Sequence, residues 1–139
     1  MLTPTVSVVM PTFNRLEHLR AAIASVHVQT FEDFELIVVD DGSDDATREH
    51  LRSVQHPRTT VVLGPHTGVP AAARNRGIAL ARGRYIAFLD SDDCWAPSKL
   101  ERQLELMRAA PARRWSYTAV RRIDETGRAL PPSRVAWAG

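Results

Sequence analysis

The sequence predicts an α/β protein: a Rossmann-like α/β/α sandwich built on a mostly parallel sheet. Three observations lead there. Short runs rich in β-branched residues alternate with segments of helical period. The runs carry continuous apolar stretches, such as Val8–Met10 and Leu36–Val39, as strands covered on both faces do. Polar clusters follow three of them, at the carboxyl ends where parallel sheets bind ligands.

The elements follow in order. Val6–Met10 reads as the first strand. Leu16, Leu19, Ile23 and Val26 recur at helical spacing, which predicts an amphipathic helix over 15–28. Phe34–Val39 is the second strand. Ser43 or Asp44 can cap a helix running to Val54, with Asp44 and Asp45 favourable in its first turn. Thr60–Leu63 is the third strand. Pro70 suits the first turn of a helix ending near Ala81, with Gly83 as its stop. Tyr85–Leu89 is the fourth strand. Pro97 or Ser98 starts a last helix, which Pro111 ends. Trp115–Ile123 suggests a fifth strand, and Glu125-Thr126-Gly127 a turn. Residues 1–127 are expected to form the domain and 128–139 a tail.

Composition narrows the function classes. With 44% hydrophobic and 24% charged residues, the chain is neither collagenous, disordered nor a disulfide scaffold. Its single cysteine, Cys94, permits no internal disulfide and fits a reduced, cytoplasmic setting. The five histidines show no ligand spacing and read as ordinary surface residues. There is no signal peptide, and no apolar run is long enough to span a bilayer. Residues 1–94 carry 9 basic and 12 acidic side chains, which argues against a nucleic-acid surface. Residues 95–139 carry 9 basic and 4 acidic ones, a balance that suits peripheral contact with an anionic membrane or a phosphorylated substrate.

Four clusters carry chemistry. Asp90-Ser91-Asp92-Asp93 follows the fourth strand. Its carboxylates repel one another unless a cation sits among them, and Mg²⁺ or Mn²⁺ commonly takes one or two carboxylates plus phosphate oxygens. The alternative is a solvated acidic loop that starts a helix. Asp40-Asp41-Gly42-Ser43 follows the second strand; its carboxylates can accept from a nucleobase N–H or a ribose hydroxyl. The same residues also suit any strand-to-helix turn. Pro11-Thr12-Phe13-Asn14-Arg15 follows the first strand, where Phe13 can stack beside a base. Ala73-Arg74-Asn75-Arg76-Gly77 lies in the third helix and offers a guanidinium fork for a diphosphate. Gly77 costs helix stability and suggests a close neighbour. No dinucleotide-binding G-x-G-x-x-G, phosphate loop or nucleophile elbow occurs.

Taken in order, these clusters, with Gln29-Thr30-Phe31 and Gly83-Arg84-Tyr85 between them, resemble glycosyltransferase family 2 over roughly residues 5–125. The resemblance implies the GT-A fold, truncated at the C-terminus, and a metal-dependent, inverting transferase that uses a nucleotide-diphospho-sugar. By position, Pro11, Thr12 and Phe13 would line the base pocket, with Asn14 among the residues that bind the nucleotide sugar. Asp40 or Asp41 would bind base or ribose, and Arg74 and Asn75 would lie near the diphosphate. Asp90-Ser91-Asp92 matches the family's Asp-x-Asp motif. Asp92 is then the first choice as ligand to Mn²⁺ or Mg²⁺, with Asp90 at the ribose or behind the metal and Asp93 in support. The family's general base lies well downstream, and Glu101, Glu105, Asp124 and Glu125 do not match it. The acceptor, a glycan, lipid-linked sugar or protein, is therefore expected to be bound by elements outside this sequence. Two other functions remain open: a non-catalytic fragment that binds a nucleotide sugar, and a Mg²⁺-dependent phosphoryl-transfer domain. An incomplete sheet would leave an apolar edge and favour self-association.

Overall fold

The computed structural model describes residues 3–131. The chain divides into two compact units, Met1–Arg102 and Gln103–Gly139, and the division falls inside its last helix. The elements run β1 (Val6–Thr12), α1 (Leu16–His27), β2 (Phe34–Asp40), α2 (Asp45–Ser53), β3 (Thr59–Leu63), α3 (Pro70–Leu80), β4 (Tyr85–Phe88) and α4 (Lys99–Ala109).

The four strands form one parallel sheet in the order β3-β2-β1-β4. Val6 lies opposite Phe34 on one side and Tyr85 on the other, and Leu36 lies opposite Thr59. The central strands are those with unbroken apolar runs. Val8, Val9, Met10, Leu36, Val38 and Val39 are fully enclosed. The flanking strands are less covered: Ile86 and Phe88 on β4 are 40% and 48% exposed. The chain steps outward from β1 to β2 to β3, then returns to the far side of β1 for β4. Right-handed crossovers therefore put α1 and α2 on one face and α3 on the other. The direction of winding reverses at β1, and a crevice opens there at the carboxyl ends of β1 and β4.

Two glycines set how closely these parts approach. Gly77 of α3 lies over β1; a Cβ on it would stand 2.5 Å from Val9 Cγ1 and 3.3 Å from Val39 Cγ2. Gly83 does not stop α3, which ends at Leu80 with Ala81 in extended conformation. A Cβ at Gly83 would instead stand 2.5 Å from the Ser7 backbone nitrogen. Its role is contact with β1. Beside it, buried Glu35 accepts from Ser7 Oγ at 2.6 Å, from the Arg82 backbone N–H at 2.8 Å and from the Arg82 guanidinium at 2.7 Å. Burial pushes the Glu35 carboxyl up, but the bonds from Ser7 and Arg82 prevail and hold it below its ordinary value.

Capping settles the start of α2. Asp44, rather than Ser43, accepts from the Thr47 N–H at 2.9 Å.

In the second unit the expected fifth strand over 115–123 does not form. Its side chains stand in solvent, with Val120 89% exposed, and among the described residues only Ile123 at its end makes an isolated bridge. An apolar sequence becomes a strand only where a partner satisfies its backbone. The expected turn at Glu125-Thr126-Gly127 is present. Asp124 holds it by accepting from Thr126 and Arg128, and the bridge between Ile123 and Ala129 flanks it. The tail beyond Pro131 lies outside the described residues. Among the described residues no helix is long and apolar enough to cross a membrane.

Replacing Gly77 with alanine should destabilise the fold. Alanine is the better helix former by about 1 kcal/mol, but the fully buried Val9 leaves its Cβ no room. Overpacking costs about 1–3 kcal/mol. We expect a net loss of about 1–2 kcal/mol in urea unfolding; a more stable variant would refute the close packing.

Candidate functional site

The polar clusters converge in a cleft of about 320 Å³ at the carboxyl ends of the strands. Pro11, Thr12, Phe13 and Arg15 come from the end of β1, and Asp41 from the end of β2. His66, Gly68, Pro70, Ala73 and Arg74 come from the loop after β3 and the start of α3, and Asp90, Ser91 and Asp92 from the end of β4.

The two neighbouring carboxylates at the end of β2 do different work. Asp40 has no exposed side-chain surface. It accepts from the backbone N–H groups of Gly42 and Ser43 at 3.2 and 3.1 Å and from Arg48 Nε at 3.0 Å. It is a structural group beneath the cleft. Asp41 is a wall of the cleft. It accepts from the Thr67 hydroxyl at 2.7 Å, the Thr67 N–H at 3.1 Å and the Gly68 N–H at 3.0 Å. Burial pushes the Asp41 carboxyl up, yet these donors and the nearby His66 outweigh it and hold the group below its ordinary value.

Asn14 ties the first two loops together. Its N–H donates to Ser43 Oγ at 2.9 Å and its side-chain oxygen accepts from the Asp44 N–H at 2.6 Å. It adopts a left-handed φ of 48°, which asparagine tolerates better than most residues. Gly42, at φ 81°, lets the β2 loop meet the His66 backbone, where a Cβ would stand 2.4 Å from the His66 nitrogen.

The acidic cluster is spread along the cleft mouth. Asp90 pairs with Arg74 at 2.6 Å and Asp92 with Arg15 at 2.8 Å. Asp93 is exposed outside the walls, and partial burial with its neighbours Asp92 and Asp90 raises its pKa. Among the described residues no group of three or more His, Cys, Asp or Glu is arranged to hold a metal. One or two carboxylates at the mouth nevertheless suffice for a hard cation that completes its shell with phosphate oxygens and water. The donor set suits a cation shared with a phosphorylated ligand. The Thr12 hydroxyl is buried without a hydrogen-bond partner, a group that a ligand or water would complete.

Of the residues singled out from the sequence, Pro11, Thr12, Phe13, Asp41, Arg74, Asp90, Ser91 and Asp92 share the cleft. Asn14, Asp40, Asn75 and Asp93 lie outside its walls. The structure also adds residues that sequence reasoning passed over. Arg15 and Gly68 line the cleft, and Thr67 holds Asp41. His66 is no ordinary surface residue. Its ring stacks on Phe13 with centroids 4.3 Å apart and planes 21° apart. Its only signal in the sequence was a place between the third strand and Pro70, where a loop must pass the cleft.

The switch-point cleft of this parallel sheet thus joins a stacked Phe13–His66 pair to two arginine–aspartate pairs, the general arrangement of an α/β ligand-binding crevice. Comparison with known proteins gives the family: the model for Glycosyl transferase family 2 matches residues 7–138, and the chain belongs to that family. It is 42% identical over 106 residues to a putative teichuronic acid biosynthesis glycosyltransferase, TuaG, of Bacillus subtilis, covering 75% of this chain and 42% of that one. It is 41% identical over 102 residues to the Escherichia coli UDP-Glc:alpha-D-GlcNAc-diphosphoundecaprenol beta-1,3-glucosyltransferase WfgD, covering 73% of this chain and 40% of that one. The chain thus spans less than half the length of these relatives. Among solved structures, Staphylococcus aureus TarS 1-349 in complex with UDP-GlcNAc matches with a TM-score of 0.71 and 28% identity, over 76% of this chain and 31% of that one. The mannosyltransferase PcManGT from Pyrobaculum calidifontis, in complex with GDP-Man and Mn²⁺, matches with a TM-score of 0.69 and 26% identity, over 76% and 33%. The fold is accordingly that of GT-A glycosyltransferases.

Asp40→Ala should cost about 3 kcal/mol in urea unfolding, since it strands two backbone donors and the half-buried Arg48. A loss below about 1 kcal/mol would show that the loop does not depend on this carboxylate.

Proposed function

We propose that this chain forms the sugar-donor side of a glycosyltransferase. It would bind a nucleotide-diphospho-sugar in the cleft for transfer to an acceptor hydroxyl, with a divalent cation and with inversion at the sugar carbon. The observation that carries this reading is the pairing of Asp90 with Arg74 and of Asp92 with Arg15 across the switch-point mouth. A diphosphate needs cationic side chains, and a cation bound to it needs carboxylates; this mouth offers both within one cleft. The family membership and the nucleotide sugars held by TarS and PcManGT support the same reading.

Each group has a role in it. Phe13 and the backbone of Pro11 and Thr12 would hold the base, and Asp41 would accept from base or ribose. Arg74 and Arg15 would turn to the phosphates. Asp92, helped by Asp90, would hold Mn²⁺ or Mg²⁺, which neutralises the charge that develops on the departing diphosphate. Asp40, Asn14 and Asp93 support the loops. Transfer also needs a base for the acceptor hydroxyl. Asp41 is saturated by Thr67 and Gly68, Glu101 accepts from Thr30 at 2.9 Å, and Asp124 holds its own turn. We therefore assign the base to elements beyond these residues. The same observation favours a second reading, in which this chain by itself binds the sugar nucleotide without transferring it. Membership of the family weighs against a phosphoryl-transfer domain. Relatives named for lipid-linked and polysaccharide substrates make a cell-envelope glycan the acceptor to test first, at the cytoplasmic face of the membrane.

Calorimetric titration with UDP, GDP and dTDP, with and without Mn²⁺, tests the reading. We expect one of them to bind, more tightly with metal, and Asp92→Ala to remove the metal-dependent part while circular dichroism stays unchanged. Metal-dependent affinity that survives in Asp92→Ala would sink the metal assignment. A folded chain that binds none of the three would sink the proposed function.

A further inference from the structure

We propose that His66 selects the nucleobase in this cleft, presenting a hydrogen-bond acceptor to a base that carries a ring N–H: uracil, thymine or guanine. The inference rests on the reading of the cleft as a nucleotide site and concerns a residue to which that reading gives no role.

The ring is fixed at one edge and along one face. Nδ1 lies 2.9 Å from the backbone oxygen of Asp41 and 3.3 Å from its carboxylate. Both are acceptors, so Nδ1 carries the hydrogen and donates it. In the neutral imidazole the lone pair then falls on Nε2. One face of the ring rests on Phe13, and Gly42 closes against the His66 backbone and Cβ, which fixes where the ring is carried. The ring is thus held by contacts from two other loops and is free to turn about neither.

Nε2 is the end that remains. It has no hydrogen-bond partner among the described residues, and it points toward Gly68, another wall of the cleft. About half of the side chain is open to solvent. With centroids 4.3 Å apart, Phe13 and His66 leave no room for a base between them. We therefore place the base beside the pair, edge-on to the imidazole, with its ring N–H directed at Nε2.

Base chemistry then decides. Uracil and thymine carry N3–H, and guanine carries N1–H; each is a donor to Nε2. Cytosine N3 and adenine N1 carry lone pairs, which would face the lone pair of Nε2 and leave both unsatisfied. A site built to bond one partner rejects the analogue that lacks it, because its own polar group is left unpaired.

The test compares nucleotides that differ at the base edge: UDP with CDP, and GDP with ADP. Each is titrated into the full chain in Mn²⁺, for the wild type and for His66→Phe and His66→Ala. Phenylalanine keeps the stack on Phe13 and removes the acceptor. We expect the wild type to favour UDP over CDP, or GDP over ADP, by about tenfold or more. In His66→Phe that ratio should collapse toward one, through weaker binding of the preferred nucleotide alone. Equal losses for all four nucleotides in both variants would mark His66 as merely structural and overturn the proposal. So would an unchanged ratio, or a wild type that prefers CDP or ADP. In each of those cases the nucleotide site itself stands. A wild type that binds none of the four removes both this inference and the function on which it rests.

Discussion

The cleft depends on one buried carboxylate. Asp40 ends β2 with no exposed side-chain surface, so its charge must be answered within the protein. The answer comes from the two N–H groups of its own turn and from Arg48 of α2. Those bonds fix where the chain leaves the sheet. Arg48 also donates to the Gly64 carbonyl, and the Gly64 N–H returns to the Asp40 carbonyl, so the end of β3 is fixed by the same group. Ser43, held by Asp40 through its N–H, offers its hydroxyl to Asn14 in the β1 loop. Three loops from three strands are thus registered through one buried residue that does not line the cleft. Preorganisation of this kind lets the cleft keep its shape without losing binding energy to loop ordering.

The charges at the mouth obey a different rule. The pairs Arg74–Asp90 and Arg15–Asp92 are largely open to solvent. Exposed pairs contribute at most about 1 kcal/mol. They hold the side chains near their working positions, yet cost little to exchange. A diphosphate can take the arginines and a cation the aspartates, with the same groups satisfied before and after. The Asp40 pair could not behave this way, because breaking it strands a charge that water does not reach. Burial separates the scaffold from the machinery.

Much of this was legible in the sequence. Unbroken apolar runs gave all four strands to within two residues at each end, and the helical periods gave all four helices. The clusters at the strand ends named most of the walls of the cleft. What stayed hidden had physical reasons. Asp40 and Asp41 are adjacent acids in one turn, and no pattern tells which is turned inward; the strand register decides it, since Asp40 pairs across from Thr12 and Leu63. Gly83 looked like a helix stop because glycine serves both as a cap and as a close-contact residue. Residues 115–123 look like a strand, but strand formation depends on a partner that no local pattern reveals. His66 and Thr67 carry no motif, and their roles come only from the fold bringing the loop after β3 against the end of β2.

That juxtaposition explains how a conventional scaffold acquires a particular ligand. Parallel sheets place some cleft at their switch point whatever the sequence. Here the walls nearest the sheet are set by groups that must satisfy one another: Asp41 with Thr67 and Gly68, and His66 with Asp41 and Phe13. Among the described residues, the Nε2 edge of His66 has no hydrogen-bond partner, while its Nδ1 edge and the Asp41 carboxylate are engaged. The mouth, in contrast, keeps its charges exchangeable. On the proposed reading, a ligand would meet fixed hydrogen bonding along the loops after β2 and β3, and replaceable charge at the Arg74–Asp90 and Arg15–Asp92 pairs. Discrimination between ring edges would then fall to the loops after β2 and β3, and affinity for phosphate to the exchangeable pairs. Under the proposed function, a change in the loop after β3 would alter which base is accepted while leaving the grip on the diphosphate intact.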